Sequence, residues 1–304
     1  MKIAVLGSGA MGCLYGGSLA EAGFDVTLID VWKEHVETIN SKGLHIEGLT
    51  GDRIVRDISA VTDFSSLDTV DLLVVFVKAT ITEEAMKKAR DLVGVKTVVL
   101  TLQNGLGNIE KIGAVVGKDK VIAGTTGHGS TMLGPGHIRH AGSGETTLGE
   151  LDGSKTRRLE EIADIFRKAG FSVNLSSNVV GLIWDKLLVN IGINPLTALT
   201  GLRNGQLLDF AETEELLESL VNEAREVATQ KRIQLSCDPV EHTKDVCRRT
   251  KENMSSMFQD VMKKRKTEID VINGAIVEEG KKLGVDTPVN RVITNLIKVR
   301  EKTY

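Results

Sequence analysis

The sequence predicts a doubly wound α/β domain with a mostly parallel sheet, followed by an all-α domain. Three observations carry this reading. Short β-branched runs alternate with helical stretches in the first part of the chain, a glycine-spaced run joins the first strand to the first helix, and strand signals cease after Asn178.

Lys2 to Leu6 (KIAVL) is a short apolar run bounded by glycine, the pattern of a buried parallel strand. A helical pattern follows from Ala10 to Ala22, and Asp25 to Ile29 (DVTLI) is a second strand one crossover later. Asp71–Val77, Lys96–Leu102 and Lys120–Ala123 continue the series, with a helical stretch at Thr82–Leu92. Gly124 to Glu150, rich in Gly, Thr and His, reads as short antiparallel strands. A helix over Ser154–Ala169 and a strand at Phe171–Leu175 complete the domain. Leucine-rich helical periodicity then runs almost to the end, broken near Asn204-Gly205, Asp238-Pro239 and Asp286-Thr287-Pro288. The expected division is residues 1–176 and 177–304.

The chain's 304 residues are about twice a usual domain, which agrees with two. Its net charge of −3 provides no electrostatic footprint for nucleic acid or an anionic membrane, so neither is expected as a partner. Cys13, Cys237 and Cys247 form no CxxC pair, which suits a reducing compartment. With no signal-peptide pattern and no uninterrupted apolar run of membrane-spanning length, the expected location is cytoplasmic.

Gly7-Ser8-Gly9-Ala10-Met11-Gly12, between strand and helix, is a dinucleotide-binding fingerprint. The first glycine makes the turn, the second lets backbone approach a pyrophosphate, and the third brings helix onto strand. Asp30 closes the second strand, where a carboxylate accepts from ribose hydroxyls and repels a 2′-phosphate; this favours NADH over NADPH. Lys33 lies close enough to weigh the other way, and Asp30 could instead cap the following helix. Lys78 and the run Gln103-Asn104-Gly105-Leu106-Gly107 follow strands at the sheet edge where ligands gather.

In the second domain Lys186, Asn190 and Asn194 are spaced i, i+4, i+8, on one face of an otherwise apolar helix. Such a stripe is costly unless partners or a ligand satisfy it, and one ammonium with two amides suits a small oxygen-rich anion. Asn253–Met257 precedes a charged stretch with Glu268, Asp270 and Asn273 that alone reads as a surface helix, and Lys263–Lys266 reads as a solvated face. The six histidines show no metal-ligand spacing, and no metal is expected.

Six blocks, in order, resemble the ketopantoate reductase (2-dehydropantoate 2-reductase) family: GSGAMG at 7–12, VKAT at 77–80, LQNGLGN at 102–108, WDKLLVNIGINPLTAL at 184–199, NMSSMFQD at 253–260 and TEIDVINGAIV at 267–277. The resemblance covers nearly the whole chain. It implies a Rossmann domain and a helical domain like that of 6-phosphogluconate dehydrogenase. It also implies reduction of 2-dehydropantoate to (R)-pantoate by NADPH or NADH, on the route to pantothenate and coenzyme A. By this resemblance Lys186 is the general acid and Glu268 orients it; Asn190, Asn194 and Ser256 bind substrate. Asn104 lies between cofactor and substrate, and Lys78 near the cofactor. Asp30 departs from the basic residue often found there in an NADPH-preferring family. Other readings are a reductase of another 2-oxo acid, or a catalytically silent redox sensor, against which the Lys186–Glu268 pairing argues. A homodimer through the helical domain follows by family analogy.

Overall fold

β1 (Lys2–Leu6) alternates its side chains between two cores: Ile3 and Val5 face one, Ala4 and Leu6 the other. A strand apolar on both faces belongs inside a sheet covered on both sides. The computed structural model describes residues 1–65 and 67–304. After β1 come α1 (Ala10–Glu21), β2 (Asp25–Ile29), α2 (Lys33–Lys42), β3 (Leu44–Gly48), β4 (Arg53–Val55), β5 (Ser59–Val61), β6 (Leu72–Val75), α3 (Thr82–Lys88), β7 (Val98–Thr101) and α4 (Asn108–Val116). β8 (Val121–Thr126), β9 (Gly129–Gly134), β10 (His137–Gly142), β11 (Thr146–Glu150), α5 (Arg157–Lys168) and β12 (Val173–Leu175) follow. The rest is helical: α6 (Val179–Thr200), α7 (Ala211–Gln230), α8 (Pro239–Arg249), α9 (Ser256–Met262), α10 (Asn273–Leu283) and α11 (Pro288–Lys302). Tertiary contacts group Met1–Gln103 with Asn108–Val179 in one unit, and Asn104–Gly107 with Val180–Tyr304 in another.

In the first unit, among the described residues, eight strands form the main sheet in the order β12-β11-β8-β7-β6-β1-β2-β5. Its pairs are parallel except β8 with β11. α1 and α5 cover one face through Leu14, Tyr15, Leu19, Leu159 and Phe166, while Met86 of α3 and Ile112 of α4 belong to the core on the other. Strands come at the expected places, though shorter at β6, β7 and β12.

The sequence patterns gave no warning of α2 or of β3 to β5. Two of these strands join a separate four-stranded sheet, ordered β4-β3-β10-β9, in which β10 runs parallel to β3 and antiparallel to β9. This sheet packs on the side of α1 away from the main one. A Cβ on Gly17 would lie 2.7 Å from Ile46 of β3, and one on Gly16 would lie 2.5 Å from Leu28 of β2. Sandwiched this way, α1 buries every residue from Gly12 to Ala20 and needs no polar face.

In the second unit α6 passes so close to α7 and α8 that a Cβ on Gly192 would lie 2.9 Å from Val221 and 3.0 Å from Thr243. α7 also packs on α10 and α11. The sequence breaks become helix caps. Asp238 accepts from the N–H groups of Val240 and Glu241 at 3.0 Å with Pro239 opening α8, and Ser255 caps α9. α6 is long and apolar enough to cross a membrane, but Asp185 and Lys186 interrupt it and 67% of its most apolar window is buried.

Candidate active site

In the first unit, the fingerprint is held by the end of β2: the N–H groups of Gly7 and Ser8 both donate to the carbonyl of Ile29, at 2.9 and 3.2 Å. Gly7 has φ +96°, and a Cβ there would meet Val77 N at 2.5 Å, so no other residue fits. At Gly12 a Cβ would lie 2.0 Å from the Gly7 carbonyl oxygen, the cost of laying α1 directly on β1. Gly9 differs: a Cβ there would meet nothing within 4 Å. Its open side lines a cleft of about 290 Å³, with Gly7, Asp30, Phe76, Lys78 and Ile81 also on the wall.

Gly9 caps α1 without a side-chain hydrogen bond, so the first-turn N–H groups of Ala10 and Met11 stand at the helix N-terminus with no side-chain cap. An anion placed there would meet those donors and the positive end of the helix dipole. Asp30 sits just past β2; its Oδ1 accepts from Trp32 N–H at 3.0 Å and its Oδ2 from the buried Ser8 hydroxyl at 3.3 Å. Asp30 thus does not cap α2, whose N-cap is Trp32 with no side-chain cap bond; its carboxylate makes a local turn bond and stands on the cleft wall. Lys33 instead reaches Glu37 on its own helix, at 3.7 Å on an exposed face. Lys78 follows β6 and caps a 3-10 turn, Ala79–Ile81. Next to it, the Gln103 amide donates to Val77 O at 2.5 Å and Thr82 Oγ1 at 2.8 Å, fixing the ends of two strands. These residues fit a dinucleotide: a backbone cradle with open space at Gly9, and a carboxylate one strand away.

In the second unit, α6 carries Lys186 and Asn190, both half-buried, and Asn194, buried. Pro195 sits inside this helix. It lacks the N–H that would reach the Ile191 carbonyl, and the Asn273 side chain donates to that oxygen instead, at 3.3 Å. Asn273 also donates to Asn290, which in turn donates to Glu223 at 2.8 Å. Far from lying on a surface helix, Asn273 is fully buried. Glu268 is not helical either; it caps a 3-10 turn, Ile269–Val271, before α10 begins. The helical pattern failed there because Thr267 and Ile269 turn inward and Thr267 bonds Glu301 at 2.7 Å. Lys263–Lys266 is exposed, as a solvated face would be, although it is a loop.

Burial pulls the Lys186 ammonium down to about 8, against the raising influence of the Glu268 carboxylate. The 3-10 turn that follows Glu268 also holds Asn104's loop, because Leu106 N–H donates to Val271 O at 2.9 Å. Gly105 makes this possible: it has φ +80°, and a Cβ there would clash with the same oxygen at 2.6 Å. Ser256 is exposed at the start of α9, and its neighbour Ser255 bonds Thr197 of α6 at 2.7 Å.

Several residues of this framework escaped sequence reasoning. Asp185 is buried beside Lys186 and accepts the Ser236 N–H at 3.2 Å on both oxygens, which pins the loop before α8 to α6. Phe76 and Ile81 line the cleft. The only signal was their adjacency to motif residues.

The model of the family "Ketopantoate reductase PanE/ApbA" matches residues 3–153, and that of its C-terminal domain matches residues 178–301. The 2-dehydropantoate 2-reductase of Pyrococcus horikoshii is 37% identical over 99% of this chain and 98% of its own, and that of Halobacterium salinarum 36% over 99% of each. Among solved structures, a PanE/ApbA family ketopantoate reductase from Ralstonia eutropha superposes with TM-score 0.93 at 34% identity, covering 100% of this chain and 99% of its own. A ternary D-mandelate dehydrogenase with NADH and anilino(oxo)acetate has the same TM-score at 32% identity and the same coverage. The fold, the fingerprint and the full-length matches agree: the chain belongs to the ketopantoate reductase family.

Proposed function

We propose that the chain reduces 2-dehydropantoate to (R)-pantoate with a nicotinamide dinucleotide, with Lys186 as the general acid. The observation that carries this reading is a lysine whose pKa is brought to about 8, influenced by Glu268, on a helix that also carries Asn190 and Asn194. A general acid works best when its pKa lies near the operating pH.

Reduced nicotinamide, when bound, supplies a hydride to C2 of the 2-oxo acid. As the carbonyl π pair moves to oxygen, Nζ of Lys186 donates a proton to it and is left as the neutral amine, which recovers a proton from water. Glu268 favours the charged lysine before that transfer. Asn190, Asn194, Ser256 and Asn104 supply polar contacts to the substrate's oxygens. Gly7, Ser8, Gly9, Ala10 and Met11 hold the pyrophosphate at the helix N-terminus that Gly12 seats against β1, with Lys78 beside the cofactor. Asp30 accepts from the ribose hydroxyls and disfavours a 2′-phosphate, so NADH is the preferred form. The functional division falls at residues 176/177, with cofactor held before it and substrate after, except that Asn104 joins the substrate side, as its grouping with the second unit supports.

The protein works in the cytoplasm as a homodimer through its helical domain. Exposed Val292, Leu296 and Val299, spaced along one side of α11, support that contact. Light scattering at the mass of one 32.9 kDa chain would refute it.

The deciding assay follows NADH and NADPH absorbance with 2-dehydropantoate and a panel of other 2-oxo acids. Turnover of another acid with none of 2-dehydropantoate would overturn the substrate. Lys186→Ala should lower kcat by about 10²–10⁴ and leave the NADH Kd unchanged; near-normal kcat would remove Lys186 from its role.

A further inference from the structure

The parallel pairing of β10 with β3 sets His137 directly opposite His45 and Arg139 opposite Glu47. Residues two apart on a strand share a face, so both histidines and Glu47 project from the same side of the smaller sheet. The imidazole rings stack with centroids 4.0 Å apart and planes 9° from parallel. Ligand atoms of His45, Glu47 and His137 all lie within 4.8 Å of one another. Each histidine Nε2 already faces a carboxylate: His137 meets Glu47 Oε2 at 3.0 Å, and His45 meets Asp52 Oδ1, from the turn after β3, at 2.5 Å. The six histidines show no ligand spacing along the chain, but the sheet brings two of them together across more than ninety positions.

We propose that His45, His137, Glu47 and Asp52 form a binding site for a divalent transition metal of the zinc type on the four-stranded sheet. Two imidazole nitrogens with two carboxylate oxygens suit a borderline cation and not magnesium, which prefers oxygen alone. Four donors at about 2.0–2.1 Å from a tetrahedral ion stand about 3.3 Å apart. The 3.0 Å His137–Glu47 contact is close to that spacing, but the stacked imidazoles hold their ring nitrogens side by side. Binding therefore requires the rings to turn out of parallel until both Nε2 lone pairs converge, a rotation open to two histidines that are each about one-third exposed. The metal takes the place of the proton that each Nε2 presents to its carboxylate; that proton moves to Nδ1 or leaves to water.

One group opposes the ion. Arg139 binds Glu47 Oε1 at 2.6 Å and adds a positive charge beside the site. Oε2, the oxygen that faces His137, is the ligand atom left for the metal. This opposition supplies a test that misfolding cannot mimic, because removing Arg139 should strengthen binding.

The full-length protein, stripped with a chelator, is titrated with Zn²⁺ by calorimetry and with Co²⁺ by visible absorption. The expected result is one ion per chain, a raised Tm that chelator reverses, and cobalt bands of a low-symmetry nitrogen–oxygen site. Loss of outer-shell partners alone costs metal sites about 10–100-fold, so His45→Gln and His137→Gln should each raise Kd by at least about 10-fold. Arg139→Gln should lower it. Should either histidine variant fail to fold, the Arg139→Gln titration and the cobalt spectrum decide. Absence of saturable binding, unchanged Kd in folded histidine variants, or no gain in Arg139→Gln would overturn the proposal.

Discussion

Asn273 donates its side-chain N–H to the carbonyl of Ile191, the acceptor that Pro195 leaves without a helical partner. α6 thus carries a proline in its interior and still runs unbroken over 22 residues. Replacing the amide by an apolar group of similar size leaves a buried carbonyl and the Asn290 oxygen unmet. Asn273→Leu should cost about 1–3 kcal/mol of stability, measured by urea unfolding. A midpoint equal to that of the parent would show that the bond does not support α6.

The second prediction is a pH profile. Lys186 is an acid in the proposed reaction, so it must be protonated, and its pKa of about 8 places the loss of activity there. kcat/KM should fall as pH rises through about 8. Glu268 raises the lysine's pKa, so Glu268→Gln should move that limb to lower pH. A lower plateau with an unmoved limb would make Glu268 structural only.

Gly9 and Gly12 separate binding from packing. Gly9→Ala adds a methyl where nothing lies within 4 Å, so Tm should hold while the Kd for NADH rises by about tenfold or more, roughly 1.4 kcal/mol. Gly12→Ala drives a methyl to 2.0 Å from the Gly7 oxygen and should lower Tm even without cofactor. Equal thermal stabilities in the two variants would contradict the geometry.

Asp30 is a matter of cofactor ratio. Charge-assisted bonds are worth about 1.5–3 kcal/mol, so Asp30→Ala should cut kcat/KM for NADH by about tenfold or more and raise that for NADPH. It also loses the Trp32 and Ser8 bonds, so a drop of both cofactors together, with no change of ratio, would reduce Asp30 to a turn residue.

What the sequence made legible follows from how local each signal is. β1, α1 and β2 were readable because fingerprint, strand and crossover fall within thirty residues of each other, and β1 and β2 have the predicted ends. β3 to β5 were not, because Arg53–Val55 and Ser59–Val61 are three residues each and β3 mixes His45 and Glu47 with its apolar positions. Their meaning depends on β10, far along the chain. The same limit hid the histidine pair. At the candidate site, the Lys186 stripe was visible as helical spacing, whereas the stretch with Glu268 and Asn273 looked like a surface helix. Only the tertiary partners Val271 for Leu106, and Ile191 for Asn273, reveal that this stretch turns inward.

The parallel β3–β10 pair also sets an order of events during synthesis. His137, the first residue of β10, lies 89 positions after Gly48, the last of β3. At about 5–20 residues per second, β3 waits roughly 4–18 s for that partner to leave the ribosome. β4 closes one edge quickly, but the other edge of β3 stays unpaired meanwhile, the kind of edge on which nascent chains stick to one another. Growth conditions that slow translation should therefore lower the soluble yield of this protein before they affect its activity.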